Sequence, residues 1–383
     1  MLHIIHFTPK TFCMKQLFLL VSGVIILLGC NKQSPDGGTS VSSSGTGVFT
    51  GGAKVNQVFR LCSDPNGQLY INAWTTLNNN DSFLFYKLNN GQWQRLGNRE
   101  FLTNINSVGF DNSGNFYFAD YAVYKWSGSA WSKVDAAVHD PRQGVSSIGI
   151  TMAVAPSGEI YGDFEHDTTG NYSYQYSKWD GTRWNWISNP PTDNIYSVYP
   201  REMFCNNSGT LYVSSNFSNR NHWLYRYNGN NSWTQVGDPD FQFCNSPFTV
   251  DNNNNIYTAG WKRSAHTDTL RGDFIAKWNG SAWSVIPYPA IQRPNTDSTN
   301  FIYSLAADTK GNLYVAGSLM NAAGNYIIAK WDGYTWSELG NGSLKANGKI
   351  MCMTTDSKGF LYAAGLFKDT AGNAYVAKFA IGN

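Results

Sequence analysis

The sequence predicts an all-β fold: a single seven-bladed β-propeller of four-stranded blades, with the last blade completed by the N-terminal strand. Three observations lead to this prediction. A turn motif recurs seven times, a second hairpin bounded by aromatic residues follows most copies, and 15% aromatic residues are combined with only 14% charged residues. Such a composition favours a packed core over disorder. One repeat takes roughly 45 to 50 residues, which is the size of a propeller blade.

The first hairpin of each repeat is marked by a turn residue, Gly or Asn, that precedes an apolar residue and a Tyr. In five copies an Asp stands three positions before the turn residue. Its carboxylate caps the turn, and Gly accepts the positive φ that a tight hairpin needs. One Asp per turn supplies too few oxygens for Ca²⁺, so turn capping is the preferred role and no metal site is predicted. The capping positions are Asp64, Asp111, Ala155, Asn206, Asp251, Asp308 and Asp356, and the Tyr positions are Tyr70, Tyr117, Tyr161, Tyr212, Tyr257, Tyr314 and Tyr362.

The second hairpin of each repeat places Asp-Gly or Asn-Gly between two aromatic strands, as in AKWDGYTW ending at Trp336. This is among the stronger short-range hairpin signals, and it brings each repeat to four strands. The recurring Trp side chains have two interpretations, stacking on sugars or packing between neighbouring blades. Packing is favoured because each ring buries so much apolar area. The hairpin Trp residues are Trp93, Trp126, Trp131, Trp179, Trp184, Trp233, Trp278, Trp283, Trp331 and Trp336.

The two ends of the repeat region predict how the ring closes. The seventh repeat stops at Asn383, where the other repeats continue into a fourth strand. Val48 and Phe49 form a short extended segment that belongs to no complete repeat. A strand from the start of the chain that fills the last blade leaves no unpaired edge. We therefore expect the seventh blade to be a composite.

The first 30 residues resemble a bacterial lipoprotein signal peptide. An apolar run from Leu17 to Leu28 follows a single Lys and ends at Cys30, so Met14 is the expected start and Cys30 the lipidated residue. The alternative is a transmembrane anchor, for which the run is short. Residues 31–47 are rich in Ser and Gly and predict a flexible tether. In enteric-type sorting, an Asp directly after the lipidated Cys retains a lipoprotein in the inner membrane. This position holds Asn31, so we expect the outer membrane of the cell envelope, with the leaflet left open.

The repeats resemble known propeller families. The segment SLAADTKGNLYVAG, residues 304–317, resembles the repeat of two-component-regulator sensor propellers. The AKWDGxxW hairpin is similar to segments of kelch or galactose-oxidase-like propellers and of bacterial bangle-type lectins. The resemblance covers residues 48–383 and implies the fold; it says little about activity because these families share a scaffold and differ in ligand. The copper-site and radical-cofactor residues of galactose oxidase have no match, so no cofactor is expected.

Motifs for metal or nucleophilic catalysis are missing from the sequence, which contains no HExxH, paired CxxC or GxSxG. The exported part would be formally neutral, since Lys10 and Lys15 precede Cys30, and this disfavours nucleic-acid binding. Free thiols are preferred for the remaining cysteines, with a bridge between Cys205 and Cys244 as the alternative.

The variable connections between the hairpins emerge at one rim of the ring, where function normally lies. Long insertions are predicted from Gly162, from Ala259 and from Ile286. They mix aromatic and charged residues, as binding surfaces do. Arg201 and Glu202, together with Arg60, lie near the start of predicted inner strands and are expected at the mouth of the central channel. The candidate ligand-binding residues are Asp163, Glu165, Trp261, Lys262, Arg263, Tyr288 and Arg293 on the rim, and Arg201 and Glu202 at the channel.

Two functions remain open at this stage. The preferred one is a lipid-anchored, monomeric, non-catalytic module that binds a glycan, a peptide or another envelope protein. The alternative is an envelope carbohydrate-active hydrolase or lyase that uses carboxylates such as Asp163, Glu165 and Glu202. The first is preferred because the spacing fixes no acid/base pair.

Overall fold

The computed structural model describes the greater part of the predicted propeller. The described residues are 48–49, 54–77, 80–100, 105, 107–120, 122–134, 145–168, 171–191, 199–216, 222–236, 241–242, 247–264, 267–289 and 302–381. The predicted signal peptide, Cys30 and the tether lie outside them. Within the described part of the chain, no helix has the length and apolar character needed to cross a membrane.

Seven separate β-sheets follow one another along the chain, so the predicted seven-bladed all-β propeller is confirmed. Each sheet is built from consecutive antiparallel strands, with the first strand innermost. Blades 1 to 3 consist of β2 (Lys54–Ser63), β3 (Leu69–Leu77), β4 (Asn80–Asn89), β5 (Gln92–Arg95); β6 (Ser107–Phe110), β7 (Phe116–Ala119), β8 (Val123–Trp126), β9 (Trp131–Lys133); and β10 (Val145–Val154), β11 (Ile160–Thr168), β12 (Asn171–Trp179), β13 (Trp184–Trp186).

Of the remaining four blades, two depart from this plan. Blade 5 carries an additional short strand, β18 (Phe241–Gln242), and blade 7 has three strands among the described residues. A 3-10 helix, Leu339–Gly342, links blades 6 and 7. Blades 4 to 7 consist of β14 (Tyr199–Cys205), β15 (Leu211–Asn216), β16 (His222–Gly229), β17 (Ser232–Val236); β19 (Phe248–Val250), β20 (Ile256–Ser264), β21 (Thr267–Trp278), β22 (Trp283–Ile286); β23 (Ile302–Ala307), β24 (Leu313–Met320), β25 (Tyr326–Trp331), β26 (Trp336–Glu338); and β27 (Ile350–Thr355), β28 (Phe360–Gly365), β29 (Ala377–Ala380).

The turn motif works as predicted, through its Asp carboxylate. In blade 6, Oδ1 of Asp308 accepts hydrogen bonds from the amides of Lys310 and Asn312 at 3.0 and 2.9 Å. Oδ2 accepts from the Asn312 side chain at 2.7 Å and from the Tyr314 phenol at 2.9 Å. Gly311 has a φ of +82°, a conformation that side chains other than Gly rarely adopt. All oxygen lone pairs that face the turn are thus used by the turn itself.

One apolar cluster lies between each pair of neighbouring blades. The cluster between blades 1 and 2, for example, joins Tyr70 and Phe85 to Phe116 and Phe118. Seven such clusters account for seven interfaces, including the one between blade 7 and blade 1. The core of the protein is therefore a ring of interfaces, and the ring is closed.

The predicted closure by the N-terminal strand is wrong. The strand β1 (Val48–Phe49) pairs in parallel with β5 of blade 1, and blade 7 has three strands among the residues that the structure describes. The ring closes through side-chain packing instead: Val58 and Ile71 of blade 1 lie in one buried cluster with Val376 of blade 7. Counting strands led to the wrong answer because a blade can be held by its two faces even when its outer edge has no partner strand.

The hairpin Trp residues confirm the packing interpretation in most blades. At the start of the outer strand, the indole Nε1 donates a hydrogen bond to a backbone carbonyl at the end of the preceding blade. The pairs are Trp131 with Leu96 (2.9 Å), Trp233 with Ser188 (2.7 Å), Trp283 with Val236 (3.4 Å) and Trp336 with Pro287 (2.5 Å). Each ring therefore both fills the interface and ties two blades together.

Candidate functional site

The structure places Asp163 in the core rather than on the rim surface. It lies on β11, its side chain is 1% exposed, and its Oδ1 accepts hydrogen bonds from the amide and hydroxyl of Thr151, both at 2.9 Å. Thr151 sits where the register between β10 and β11 shifts. The carboxylate satisfies donors at this irregularity, a structural role that sequence reasoning did not foresee.

Two of the predicted rim loops are extended hairpins. Glu165 lies on β11, where it pairs across the hairpin with Tyr174, and Trp261, Lys262 and Arg263 lie on β20. The expectation of loops was wrong because each of these segments continues the second strand of its blade and pairs with the strand that follows. Arg201 lies near the start of β14, the inner strand of blade 4, as the sequence predicts. Arg293 lies outside the described residues.

Glu202 is one of the two residues predicted at the channel. It lies on β14 of blade 4, and burial raises the pKa of its carboxyl to about 7, while the Arg60 guanidinium and a hydrogen bond from the Phe248 amide act in the opposite direction. Arg60 belongs to β2 of blade 1, and blades 1 and 4 are not neighbours. Their interaction therefore crosses the centre of the ring.

A groove lies between blades 5 and 6. Its volume is about 590 Å³. One wall is the segment that leaves blade 5, which includes Tyr288, the predicted rim residue. The other walls come from β25, from the outer hairpin and from the turn after β24. The lining residues are Pro287, Tyr288, Pro289, Met320, Asn321, Ala322, Ile327, Ala329, Trp331, Tyr334, Thr335, Trp336, Ser337 and Glu338.

A small residue, Ala329, forms part of the groove wall. Ala329 directly precedes the Lys of the third strand in blade 6. At the corresponding position blades 3, 5 and 7 also have a small residue, whereas blades 1, 2 and 4 have Tyr86, Tyr124 and Tyr225. Tyr225 donates a hydrogen bond to the carbonyl of Pro191, in the connection from the preceding blade, so its ring fills the space that Ala329 leaves open.

The polar groups of the groove are few and fixed. Glu338 accepts hydrogen bonds from the Asn321 side chain at 3.1 and 3.4 Å. It is the only charged residue among those that line the groove. Asn321 is itself held by the turn after β24, because its Oδ1 accepts the amides of Ala323 and Asn325. A mostly apolar cavity with a few oriented polar groups is typical of small-molecule sites.

Tyr334 marks the lip of the groove and was missed by sequence reasoning. Its side chain is 88% exposed, the most exposed large hydrophobic group of the described residues. The same turn position holds Ser281 in blade 5 and Thr182 in blade 3. Comparison of the turns with one another, DGYTW against NGSAW and DGTRW, would have shown an aromatic residue with no packing role.

Neither a metal site nor a reactive thiol is found in the part of the chain that the structure describes. No group of three or more His, Cys, Asp or Glu side chains is placed to hold a metal ion there. Cys62, Cys205 and Cys352 are free thiols, as preferred from the sequence, and Cys244 lies outside the described residues. Burial raises the pKa of Cys205 and of Cys352 to about 12, so both thiols are protonated.

Comparison with known proteins extends to the fold alone. No protein-family model matches the sequence, and no curated protein matches it either. The resemblance of the repeats to two-component-regulator and kelch propellers therefore stays a prediction. Among solved structures, an oligogalacturonate lyase from Vibrio parahaemolyticus is 10% identical with a TM-score of 0.54, and the match covers 86% of this chain and 91% of that one.

Two further solved structures are similar to the same degree. The polysaccharide lyase Uly1 is 11% identical, with a TM-score of 0.51 over 87% of this chain and 91% of that one. Hydrazine synthase of Kuenenia stuttgartiensis is 13% identical, with a TM-score of 0.51 over 86% and 97%. At this level of identity the likeness establishes a propeller, and function must be argued from the site.

Proposed function

We propose that the protein is a non-catalytic carbohydrate-binding propeller, held on the bacterial envelope by a lipid on Cys30, whose ligand occupies the groove between blades 5 and 6. The observation that carries this proposal is the groove itself, in which Ala329 stands where blades 1, 2 and 4 have a Tyr. Blades 1, 2 and 4 fill this space with a Tyr ring, whereas blade 6 has Ala329 there and lines the groove with aromatic rings.

The chemistry of the groove suits a sugar better than a peptide or a flat hydrophobic ligand. A sugar ring has an apolar C–H face and a polar rim, so it packs against an aromatic ring and needs hydrogen-bond partners at its edge. Trp331, Tyr288 and Tyr334 supply the aromatic surfaces, and Asn321 and Glu338 supply oriented polar groups. Aromatic rings of this kind combine large contact area with little entropy to lose.

A lyase or hydrolase is the second candidate, and Glu202 is the observation that favours it. A carboxyl whose pKa is near 7 is suited to act as a general acid or base at neutral pH, and Arg60 faces it across the channel. Two of the similar propeller structures are lyases. The binding module is preferred because no second carboxylate is placed beside Glu202 among the described residues.

The experiment is a glycan array probed with the purified full chain and two variants. Tyr334→Ala removes the exposed ring at the lip of the groove and should lower the signal on every bound glycan at least tenfold. Leu366→Ala, which removes an exposed apolar side chain of blade 7, is the matched control and should bind as the parent does. Equal binding by all three proteins would place the ligand elsewhere; release of unsaturated or hydrolysed products would favour the enzyme.

The proposed lipid attachment at Cys30 is tested separately. Cys30→Ala should abolish incorporation of a fatty-acid analogue in growing cells, because the thiol is the proposed site of lipid attachment. Labelling that persists in this variant would contradict the anchor without affecting the proposed groove.

A further inference from the structure

A second cavity continues the groove toward the turn rim of the propeller. It has a volume of about 280 Å³ and shares two lining residues with the groove, Pro287 and Trp331. The two cavities are thus adjacent parts of one cleft between blades 5 and 6. The remaining lining of the second cavity is Tyr257, Lys277, Ser284, Val285, Ile286, Gly311 and Gly333.

Lys277 is the only charged residue that lines this second cavity. It pairs across the sheet with Tyr257, and its Nζ lies 5.5 Å from the centre of that ring. The Tyr257 phenol is fixed in turn by a hydrogen bond of 3.1 Å to Oδ2 of Asp251. The ammonium group is therefore held at the cleft wall by a cation–π contact rather than by a carboxylate.

The corresponding cavity between blades 2 and 3 also contains a Tyr and a Lys from one blade, but its lining includes carboxylates. It is lined by Tyr117 and Lys125 of blade 2 and, from blade 3, by Lys178, Glu159 and Asp180. Lys178 and Glu159 form an ion pair, and two carboxylates of the protein already line the cavity that contains Lys125, the counterpart of Lys277. In the cleft between blades 5 and 6 no described carboxylate plays this part, so the positive charge of Lys277 is left for a ligand.

We propose that the cleft between blades 5 and 6 binds an oligosaccharide that carries an anionic substituent, with an uncharged sugar in the groove and the anion at Lys277. This inference rests on the proposed carbohydrate-binding function and adds the class and orientation of the ligand. Glu338 sets the orientation, because its carboxylate in the groove repels an anion there. An ammonium beside an aromatic wall attracts carboxylate, sulfate or phosphate groups alike.

The test uses matched trisaccharides of glucose, galactose and mannose, each prepared uncharged, with a terminal uronate, with a 6-sulfate and with a 6-phosphate. Affinities are measured by isothermal titration with the full chain. In at least one series an anionic form should bind about tenfold more tightly than the uncharged form, and the advantage should shrink at high salt. Comparison of the three anions identifies the substituent.

The decisive variant is Lys277→Gln, which should remove the preference for the anionic form and leave the affinity for the uncharged form unchanged. Lys125→Gln, the corresponding change in the cleft between blades 2 and 3, is the matched control and should keep the preference. Equal binding of anionic and uncharged forms by the parent, or a preference that survives in Lys277→Gln, overturns the inference and leaves the groove intact. Absence of binding in all series overturns the proposed function itself.

Discussion

The phenol of Tyr314 donates a hydrogen bond to Oδ2 of Asp308, its partner six residues earlier, over 2.9 Å. The same bond recurs in other blades, between Tyr117 and Asp111 at 3.3 Å and between Tyr362 and Asp356 at 3.0 Å. It explains why the repeat keeps both residues at a constant spacing. The Asp caps the turn, and the Tyr on the second strand holds the Asp carboxylate in place.

This bond predicts a stability difference between two identical substitutions. Tyr314→Phe deletes a buried donor and leaves a carboxylate oxygen with one partner fewer, which should cost about 1 to 2 kcal/mol. Tyr212→Phe is the control, because the turn residue in its blade is Asn206, whose Oδ1 accepts only backbone amides there. Denaturant unfolding of both variants gives the comparison. Equal losses would show that the phenol bond contributes nothing beyond ring packing.

Because the ring closes through side-chain packing, the interface of blades 7 and 1 should contribute more to the stability of the fold than the N-terminal strand β1 does. Ile71 is fully buried in this interface, so Ile71→Ala should cost about 2 to 5 kcal/mol and Ile71→Val about 0.5 to 1.5 kcal/mol. Deletion of residues 46–52, which removes β1, should shift the melting temperature less than Ile71→Ala does. A larger shift for the deletion would restore the idea of a strand that closes the ring.

The raised pKa of Glu202 predicts a pH dependence of stability. Burial lifts the pKa from 4.5 to about 7, so between these values the folded protein keeps a proton that the unfolded chain has lost. Stability should therefore fall as the pH rises from about 4.5 to 7 and level off above. The fall is on the order of 2 kcal/mol, less than the whole shift would give because Glu202 keeps some exposure.

Glu202→Gln tests this dependence, since the amide cannot titrate. Unfolding free energies at pH 5 and pH 8 should differ less in this variant than in the parent. Arg60→Met should have the opposite effect and extend the fall to higher pH, because it removes the cation that favours the ionised carboxylate. Parallel pH profiles for parent and Glu202→Gln would contradict a buried, titrating Glu202.

Much of the fold follows from the repeat, and much less of the site does. The Asp-to-Tyr spacing and the Trp hairpins predicted seven blades because each motif encodes a local hairpin. Closure was mispredicted because it depends on contacts between residues far apart in the chain. Ser63, for example, donates a hydrogen bond from its hydroxyl to the carbonyl of Thr355, 292 positions later, at 2.8 Å. Local patterns carry no information about such contacts.

The site was predicted only in part, through Tyr288. Asp163 looked like a rim residue because burial of a carboxylate depends on a donor in another strand, which sequence order does not reveal. Ala329 is visible in the sequence as a small residue before Lys330. Its meaning appears only when the structure shows that this position faces the preceding blade, where Tyr225 contacts the Pro191 carbonyl.

The most direct test of the account fills the groove without touching its polar groups. Ala329→Tyr introduces the residue that stands at this position in three other blades, and Ala329→Ser, which introduces the residue found as Ser177 in blade 3, keeps the groove open. Titration of the best array glycan against both folded variants should show at least a hundredfold loss of affinity for Ala329→Tyr and none for Ala329→Ser. Parental affinity in a folded Ala329→Tyr would contradict the groove as the binding site.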